Sequence, residues 1–162
     1  MHFTRVSSAF SAHRLDAVTH RWQSHDGVDL AAPLGTPVRA TARGTVEFAG
    51  RKRGYGNVIV LRNPHCFSTV FAHLSRFAKG VRRGSHVGRG TVIGYVGETG
   101  WATGPHLHYE VHVHAVPKNP LTVALPNQPR TPTAFEEQKR FRANAIGLHE
   151  LLELDTNGDA LG

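Results

Sequence analysis

The chain has 162 residues, which is enough for one domain with a hydrophobic core and too few for two domains of ordinary size. Seventeen glycines and nine prolines favour short strands joined by tight turns, and the single cysteine, Cys66, excludes an intrachain disulfide. Basic side chains exceed acidic ones by seven, which predicts attraction to anionic partners. The basic clusters at 39–53 and 79–89 lack the interleaved aromatic residues of a nucleic-acid stacking surface, so we expect no nucleic-acid partner.

Along the chain we expect an N-terminal segment at 1–21, a main domain at 22–125, and a proline-rich linker with an amphipathic helix at 126–162. Residues 1–24 are polar without a clear period, which predicts irregular structure that Trp22 anchors to the core. From Gly27 to about Val123, short apolar runs alternate with glycine turns, which predicts a mainly β fold. The predicted strands are Gly27–Ala31, Pro37–Arg39, Gly44–Ala49, Asn57–Arg62, Phe67–His73, Val92–Val96 and Leu107–His114.

Two further patterns concern the organisation of the chain. The segment Arg43–Gly50 resembles Arg89–Gly97, and this internal echo indicates duplicated hairpin elements. After the proline-rich linker, 133–136 reads as a capping box, and apolar residues at helical spacing predict one helix that ends near Leu154. We expect that helix to pack on its own domain or on a segment absent from this sequence.

The chain contains no membrane-spanning stretch, because no apolar run approaches the roughly 18 residues that cross a bilayer. Met1–Phe10 lacks the apolar centre of an export signal. If the protein is exported, we therefore expect its export signal to lie outside this sequence.

The pattern of alternating histidines at 106–114 is the first chemical signal. On a strand, alternate side chains share a face, so His106 and His108 project the same way while Leu107 points to the other side. One interpretation is a metal site, and the other is a half-buried strand with a histidine-rich face toward solvent.

A second pair, His25 and Asp29, favours the metal site. In an extended segment these two side chains share a face with Gly27 between them, and we expect that glycine to leave open space beside an ion. Two histidines and a carboxylate are typical of a catalytic zinc site, which keeps a fourth position open. His73, at the predicted end of an apolar strand, is a candidate for proton transfer or oxyanion stabilisation beside that metal. Spacing alone leaves open which member of the His106/His108 pair binds the metal.

Several motifs between Trp22 and Val123 together resemble those of the lysostaphin-like (LytM-type) zinc metallopeptidases, which cut peptide bonds in bacterial peptidoglycan. The matching stretches, in family order, are His25–Pro33, Gly54–Asn57, Phe71–Ser75, Gly94–Gly100 and Thr103–Glu110. The resemblance implies a mainly antiparallel β-sheet domain with a groove. It also implies zinc held by His25, Asp29 and His108, with His73 and His106 as unliganded catalytic histidines.

The function expected from this resemblance is a zinc-dependent peptidoglycan endopeptidase of the bacterial cell envelope, periplasmic or exported. Its expected partners are peptidoglycan peptides, with D-Ala–diaminopimelate cross-links as the substrate, and packing against an N-terminal region outside this sequence is possible. No His-Glu-x-x-His helix motif is present, so histidine must act as the proton acceptor, which predicts falling activity in mild acid. The alternatives are a catalytically inactive regulator of another wall hydrolase and a carrier or nucleic-acid-binding β domain.

Overall fold

The computed structural model describes residues 3–15, 20 and 22–124, and within them the chain forms strands and no helix. The predicted C-terminal helix lies outside the described residues, and the domain bounds at 22–125 and 126–162 stay predictions. The strands are β1 (Arg5–Ser8), β2 (Ser11–Leu15), β3 (Trp22–His25), β4 (Val28–Ala31), β5 (Pro37–Arg39), β6 (Gly44–Lys52), β7 (Gly56–Arg62), β8 (Phe67–Phe77), β9 (His86–Val87), β10 (Val92–Val96), β11 (His106–Val113) and β12 (Val116–Lys118).

Ten of these strands form one sheet, in which every described pairing is antiparallel. The main path runs β1-β4-β11-β8-β7-β6-β9, while β10 pairs with β5 and β8, and β12 pairs with β11. Strands β2 and β3 form a separate two-stranded sheet. The predicted mainly antiparallel β fold is therefore confirmed.

The N-terminal prediction is wrong in two respects. Residues 1–24 are not irregular, because β1 and β2 lie wholly within them and β3 begins there. Trp22 does not anchor the segment to the core, since its side chain is 65% exposed and stacks on His13 of the paired strand. The short, polar strands β1–β3 have little apolar alternation, which is the signal that sequence reasoning used elsewhere.

The sheet buries different amounts of apolar surface on its two faces. The larger cluster occupies one face and contains Ala32, Val38, Ala40, Val46, Ile59, Leu61, Phe71, Leu74, Val87, Ile93, Val96 and Leu107. The opposite face carries a small cluster formed by Val58, Val70 and Ala72, with Phe48, Tyr55 and Val60 against it. The face with less apolar cover is the one that remains for polar chemistry.

The two echoed segments both contain a strand of this sheet, but their surroundings differ. Strand β6 pairs with β7 and β9, whereas β10 pairs with β5 and β8. Gly90 has a φ of +84° in a turn, while Gly44 lies in a strand where an added Cβ would come within 2.7 Å of the Arg62 carbonyl oxygen. Within the described part of the chain, no helix has the length and apolar character that crossing a bilayer requires.

Candidate metal centre and active site

Strand β11 supplies the centre of the candidate site, because it lies between β4 and β8 in the sheet. Its register places His108 opposite Asp29 of β4 on one side and opposite Ala72 of β8 on the other. Directly opposed residues share a face, so the imidazole and the carboxylate are brought together by strand pairing alone. The interpretation of a histidine-rich face toward solvent is wrong, since His108 and Glu110 are both buried.

His25 lies beside Asp29 and His108, but the elements that position it differ from those that the sequence predicted. It ends β3, whereas Asp29 lies in β4, so the two residues belong to different sheets rather than to one extended segment. Gly27 in the connection does not leave open space. A Cβ there would lie 2.4 Å from the carbonyl oxygen of Tyr109 and 3.0 Å from the His108 ring, so glycine permits the close approach of β11.

The side chains of His25, Asp29 and His108 form a cluster that we call the metal triangle. His25 Nε2 lies 3.1 Å from Asp29 Oδ1 and 3.2 Å from His108 Nδ1, and His108 Nδ1 lies 2.8 Å from the same carboxylate oxygen. In tetrahedral zinc with bonds of about 2.0–2.1 Å, neighbouring ligand atoms lie about 3.3 Å apart. The three donor atoms therefore already have nearly the separation that one zinc ion requires, and this group is able to hold a metal.

The outer nitrogens of the two triangle histidines are fixed by acceptors. His25 Nδ1 donates to the carbonyl oxygen of Ala9 at 2.8 Å, and His108 Nε2 donates to Glu110 Oε1 at 2.8 Å. With those protons in place, His25 Nε2 and His108 Nδ1 present lone pairs toward the triangle, as metal ligands must.

Burial and mutual hydrogen bonds shift the pKa values of Asp29 and His108 in opposite directions. Burial alone would raise the pKa of Asp29, but hydrogen bonds from His108 and His25 outweigh it and hold that pKa well below its ordinary range. Burial alone would lower the pKa of His108, but hydrogen bonds to Asp29 and Glu110 outweigh it and raise the pKa to about 9. A cation in the triangle would take the place of the His108 proton.

Glu110 is a part of the site that sequence reasoning did not identify. Its side chain is 1% exposed and accepts hydrogen bonds from His108 Nε2, from Tyr55 Oη at 2.8 Å and from His112 Nε2 at 2.6 Å. Burial alone would raise its pKa, but the bonds from the two histidines hold the pKa well below its ordinary range. The available signal was its i+2 position from His108, which places both side chains on one face of a strand.

His73 reaches the site through an irregularity of β8. The pairing of β7 with β8 shifts register between Asn57 opposite Leu74 and Ile59 opposite Phe71, so β8 carries one extra residue there. Such a bulge reverses the alternation of side chains. His73 lies in the bulge with a φ of +59°, a strained value for a residue with a Cβ, and its N–H donates to the Tyr55 carbonyl at 2.9 Å. The strand continues to Phe77 rather than ending at His73 as predicted.

The rings of His73 and His106, which we call the imidazole pair, lie beside the metal triangle. Their centroids are 4.7 Å apart, and the His73 ring is 5.8 Å from that of His108. His73 Nδ1 donates to the Thr99 carbonyl at 2.7 Å, and His106 Nδ1 donates to the Gly104 carbonyl at 2.8 Å. Burial lowers the pKa of His73 to about 4 despite the hydrogen bond to Thr99, so its ring is neutral at pH 7.

The loop that carries Thr99 is held against the β6–β7 turn by close backbone contacts. A Cβ on Gly56 would lie 2.4 Å from Thr99, and a Cβ on Gly100 would lie 2.4 Å from the Gly54 carbonyl oxygen. The Thr99 hydroxyl donates to the Leu74 carbonyl at 2.8 Å and accepts from the Asn57 N–H at 2.9 Å. These contacts fix the carbonyl that holds His73, so the fold brings all five residues named from the sequence together.

Comparisons with known proteins identify the family of this chain. The model of peptidase family M23 matches residues 23–120. The chain is 48% identical over 149 residues to the DD-carboxypeptidase/endopeptidase Mpg of Neisseria meningitidis, covering 89% of this chain and 33% of that protein. It is 42% identical over 151 residues to the peptidoglycan DD-endopeptidase ShyC of Vibrio cholerae, covering 93% of this chain and 34% of that protein. The chain thus spans about a third of the length of these relatives.

Solved structures show the same relationship. A zinc-containing peptidase from Vibrio cholerae superposes with a TM-score of 0.70 at 35% identity, over 76% of this chain and 38% of that one. The catalytic domain of lysostaphin from Staphylococcus simulans superposes with a TM-score of 0.63 at 30% identity, over 72% of this chain and 88% of that one. With the family model matching more than half of its residues, the chain belongs to peptidase family M23.

Proposed function

We propose that this chain is a zinc-dependent endopeptidase that hydrolyses peptide cross-links of bacterial peptidoglycan in the cell envelope. His25, Asp29 and His108 are its metal ligands, and His73 and His106 are its unliganded catalytic histidines. The observation that carries the proposal is the metal triangle, whose donor atoms lie 2.8–3.2 Å apart beside two rings that are not part of it. Membership of peptidase family M23 supports it.

Zinc in such a site supplies Lewis-acid polarisation of a peptide carbonyl and makes a nearby water more acidic. The proton must then pass to a side chain. Asp29 is a metal ligand in this proposal, and Glu110 already accepts hydrogen bonds from His108 and His112, so neither carboxylate is placed as a general base. The imidazole pair fits this role, because each Nδ1–H is bonded to a carbonyl and Nε2 is the remaining nitrogen.

The two rings take different parts in the hydrolysis. Neutral His73 accepts a proton from the attacking water at Nε2, since its lowered pKa keeps it uncharged at pH 7. His106, whose Nε2 lies 3.7 Å from Asp29 Oδ1, is close enough to the triangle for that nitrogen to accept a hydrogen bond from the attacking water and orient it. His73 then returns this proton to the leaving amine, which completes hydrolysis.

For the substrate we favour the D-Ala–diaminopimelate cross-link over glycine bridges. One relative is named a DD-carboxypeptidase/endopeptidase and another a peptidoglycan DD-endopeptidase, and these names support that choice. Purified walls of both kinds should be digested with the zinc-loaded chain and the released peptides identified by mass spectrometry. The products are expected to carry a new D-Ala carboxyl end and a free diaminopimelate amine, whereas cleavage confined to glycine bridges would overturn this substrate.

The alternative of an inactive regulator makes a different prediction for the same assay. A regulator would bind walls without releasing peptides, even with a full complement of zinc. The presence of all five site residues argues against it, because loss of ligand residues is the expected route to inactivity. Zinc content measured together with peptide release separates the two functions.

A further inference from the structure

The sheet face that carries the metal triangle continues beyond it to a second group of polar side chains. His108 and His112 are four residues apart on β11, so they share this face and lie about 13 Å apart along the strand. The residues paired with His112 on the neighbouring strands continue this second group across the sheet, over five strands from β11 to β9. The successive cross-strand partners, which we call the basic row, are His112, Ser68, Arg62, Thr45 and His86.

The far end of the basic row opens into a cavity of about 560 Å³. Arg62 and His86 line it from strands on either side of β6, and Arg43 lines it from the residue that precedes β6. All three side chains are exposed, and Thr45 Oγ1 lies 3.1 Å from His86 Nδ1 between them. The cavity contains none of the five residues of the proposed active site.

Hydrogen bonds and close backbone contacts fix the segments that carry the two arginines. Buried Asn63 donates from Nδ2 to the Arg43 carbonyl at 2.8 Å and accepts from the Thr69 hydroxyl at 3.0 Å. Gly44 allows the β6 backbone to approach the Arg62 carbonyl, because a Cβ there would lie 2.7 Å from that oxygen. The guanidinium groups therefore extend from a fixed frame rather than from a loose loop.

Among the described residues, no acidic side chain forms an ion pair with Arg43 or Arg62. Every ion pair found among the described side chains joins a histidine to Asp29 or Glu110, and none involves a lysine or arginine. Guanidinium groups bind carboxylates through paired hydrogen bonds, so an external anion of that kind fits Arg43 and Arg62.

The surface between the two sites is apolar. Glu110 pairs with Val70, Val70 with Val60, and Val60 with Phe48, which places an apolar strip between the metal triangle and the basic row. Two strand spacings across and four residues along separate Arg62 from His108 by about 16 Å. An extended polymer lying on this face would contact both ends at once.

We infer that the basic row, together with Arg43, is a binding site for carboxylate groups of the wall polymer remote from the bond that is cut. This inference rests on the proposed function, because the peptide stems of that polymer carry the carboxylates. The site adds affinity for the polymer and contributes nothing to a substrate too short to span the apolar strip. Phosphate groups of the wall could engage the same arginines, so the test must separate the two anions.

The test measures binding of the zinc-loaded chain to sedimented, phosphate-free walls, comparing wild type with Arg43→Gln/Arg62→Gln. Lys79→Gln/Lys118→Gln is the matched control, since it removes the same charge from exposed positions outside the row. We expect the arginine variant to bind about thirtyfold more weakly, as two exposed ion pairs at the upper end of their usual strength would give. Wild type should bind carboxyl-amidated walls as weakly as the arginine variant binds untreated ones.

Turnover of a short end-blocked peptide with one cross-link reports on the active site alone, because two residues on either side extend only about 7 Å. If neither the wild type nor any variant cleaves this short peptide, the proposed function fails. If it is cleaved while the arginine and control variants bind walls equally, the remote carboxylate site is overturned. Weakened binding of the arginine variant only to phosphate-bearing walls, or only to duplex DNA, would also overturn it.

Discussion

The metal triangle and the imidazole pair contain the same side-chain type but are held in opposite ways. In the triangle, both nitrogens of His25 and of His108 are engaged, the inner ones with Asp29 and the outer ones with Ala9 or Glu110. In the pair, each Nδ1 donates to a backbone carbonyl, and the Nε2 of His106 makes only a longer contact of 3.7 Å with Asp29 Oδ1 among the described residues. The donor atoms of the triangle therefore converge on one position, and the Nε2 atoms of His73 and His106 lie beside that position.

This difference shows how histidines of one type can take two roles. A metal ligand must present one fixed lone pair, and a carboxylate or carbonyl on its other nitrogen secures it. A proton acceptor needs an anchored ring whose second nitrogen can gain and lose a proton. If this division is correct, substitutions in the two groups should separate zinc binding from turnover.

The largest effect is expected for His108→Ala, which removes one corner of the triangle. Loss of a group that hydrogen-bonds to a metal ligand typically lowers metal affinity by about 10–100-fold. Loss of the ligand His108 itself should lower zinc affinity by more than that, and wall hydrolysis should fall with it. Zinc per chain by mass spectrometry and peptide release measure the two losses. His114→Ala, which removes an exposed imidazole just beyond β11, should retain zinc and activity. Full zinc content in His108→Ala would contradict the ligand assignment.

His106→Ala should have the opposite signature. Because His106 Nδ1 bonds only to Gly104 and its ring lies outside the triangle, zinc should stay bound. Turnover should fall by about 10²–10⁴-fold, the usual contribution of a positioned acid or base. The same zinc assay and single-turnover hydrolysis separate the two effects. Zinc loss comparable to that of His108→Ala would show that the two groups are not distinct.

A smaller effect is expected for Glu110→Gln, which keeps the shape of the side chain but removes its charge. Glu110 fixes the His108 proton on Nε2, so zinc affinity should drop by about 10–100-fold. Chelator competition measures the affinity, and circular dichroism reports whether the sheet is intact. An unchanged affinity in a folded variant would show that the carboxylate does not act through His108.

The pH dependence of stability tests the surroundings of His73, one member of the imidazole pair. The pKa of His73 is lowered from 6.5 to about 4 in the fold, mainly by burial, so the unfolded chain binds more protons between these values. Its contribution to the free energy of unfolding is therefore present above pH 6.5 and is lost as the pH falls toward 4. In the zinc-free chain, NMR titration should show His73 protonating near pH 4. A loss of activity in mild acid would then not arise at His73, and a midpoint near 6.5 would contradict the burial argument.

Strongly periodic elements were predictable from the sequence. Pro37–Arg39 and Val92–Val96 were placed with their observed ends, and His106 and His108 were placed on one face because alternation is strict in a regular strand. The resemblance of the motifs supplied the five site residues, and the fold brings all five together. Polar β1–β3 were missed because they lack this alternation.

Local deviations were not predictable, and they shape the site. Alternation places His73 on the core face of β8, and only the bulge turns it toward His106. Gly27 was interpreted as a gap beside the metal, although its role depends on the Tyr109 carbonyl of a strand some eighty positions further on. Both depend on partners that are distant in sequence, which spacing within one segment cannot reveal.

The smallest expected effect tests how the imidazole pair is anchored. Thr99→Val keeps the shape of the side chain but removes the hydroxyl, so the Asn57 N–H loses its acceptor, while the Leu74 carbonyl keeps the hydrogen bond from Asn57 Nδ2. The free energy of unfolding should fall by about 1–3 kcal/mol. Because the Thr99 carbonyl orients His73, kcat should fall a few-fold while KM and zinc content stay unchanged. Thr99→Ser, which retains the hydroxyl, should restore both stability and kcat. Loss of stability without any change in kcat would show that the loop supports the fold but does not position His73.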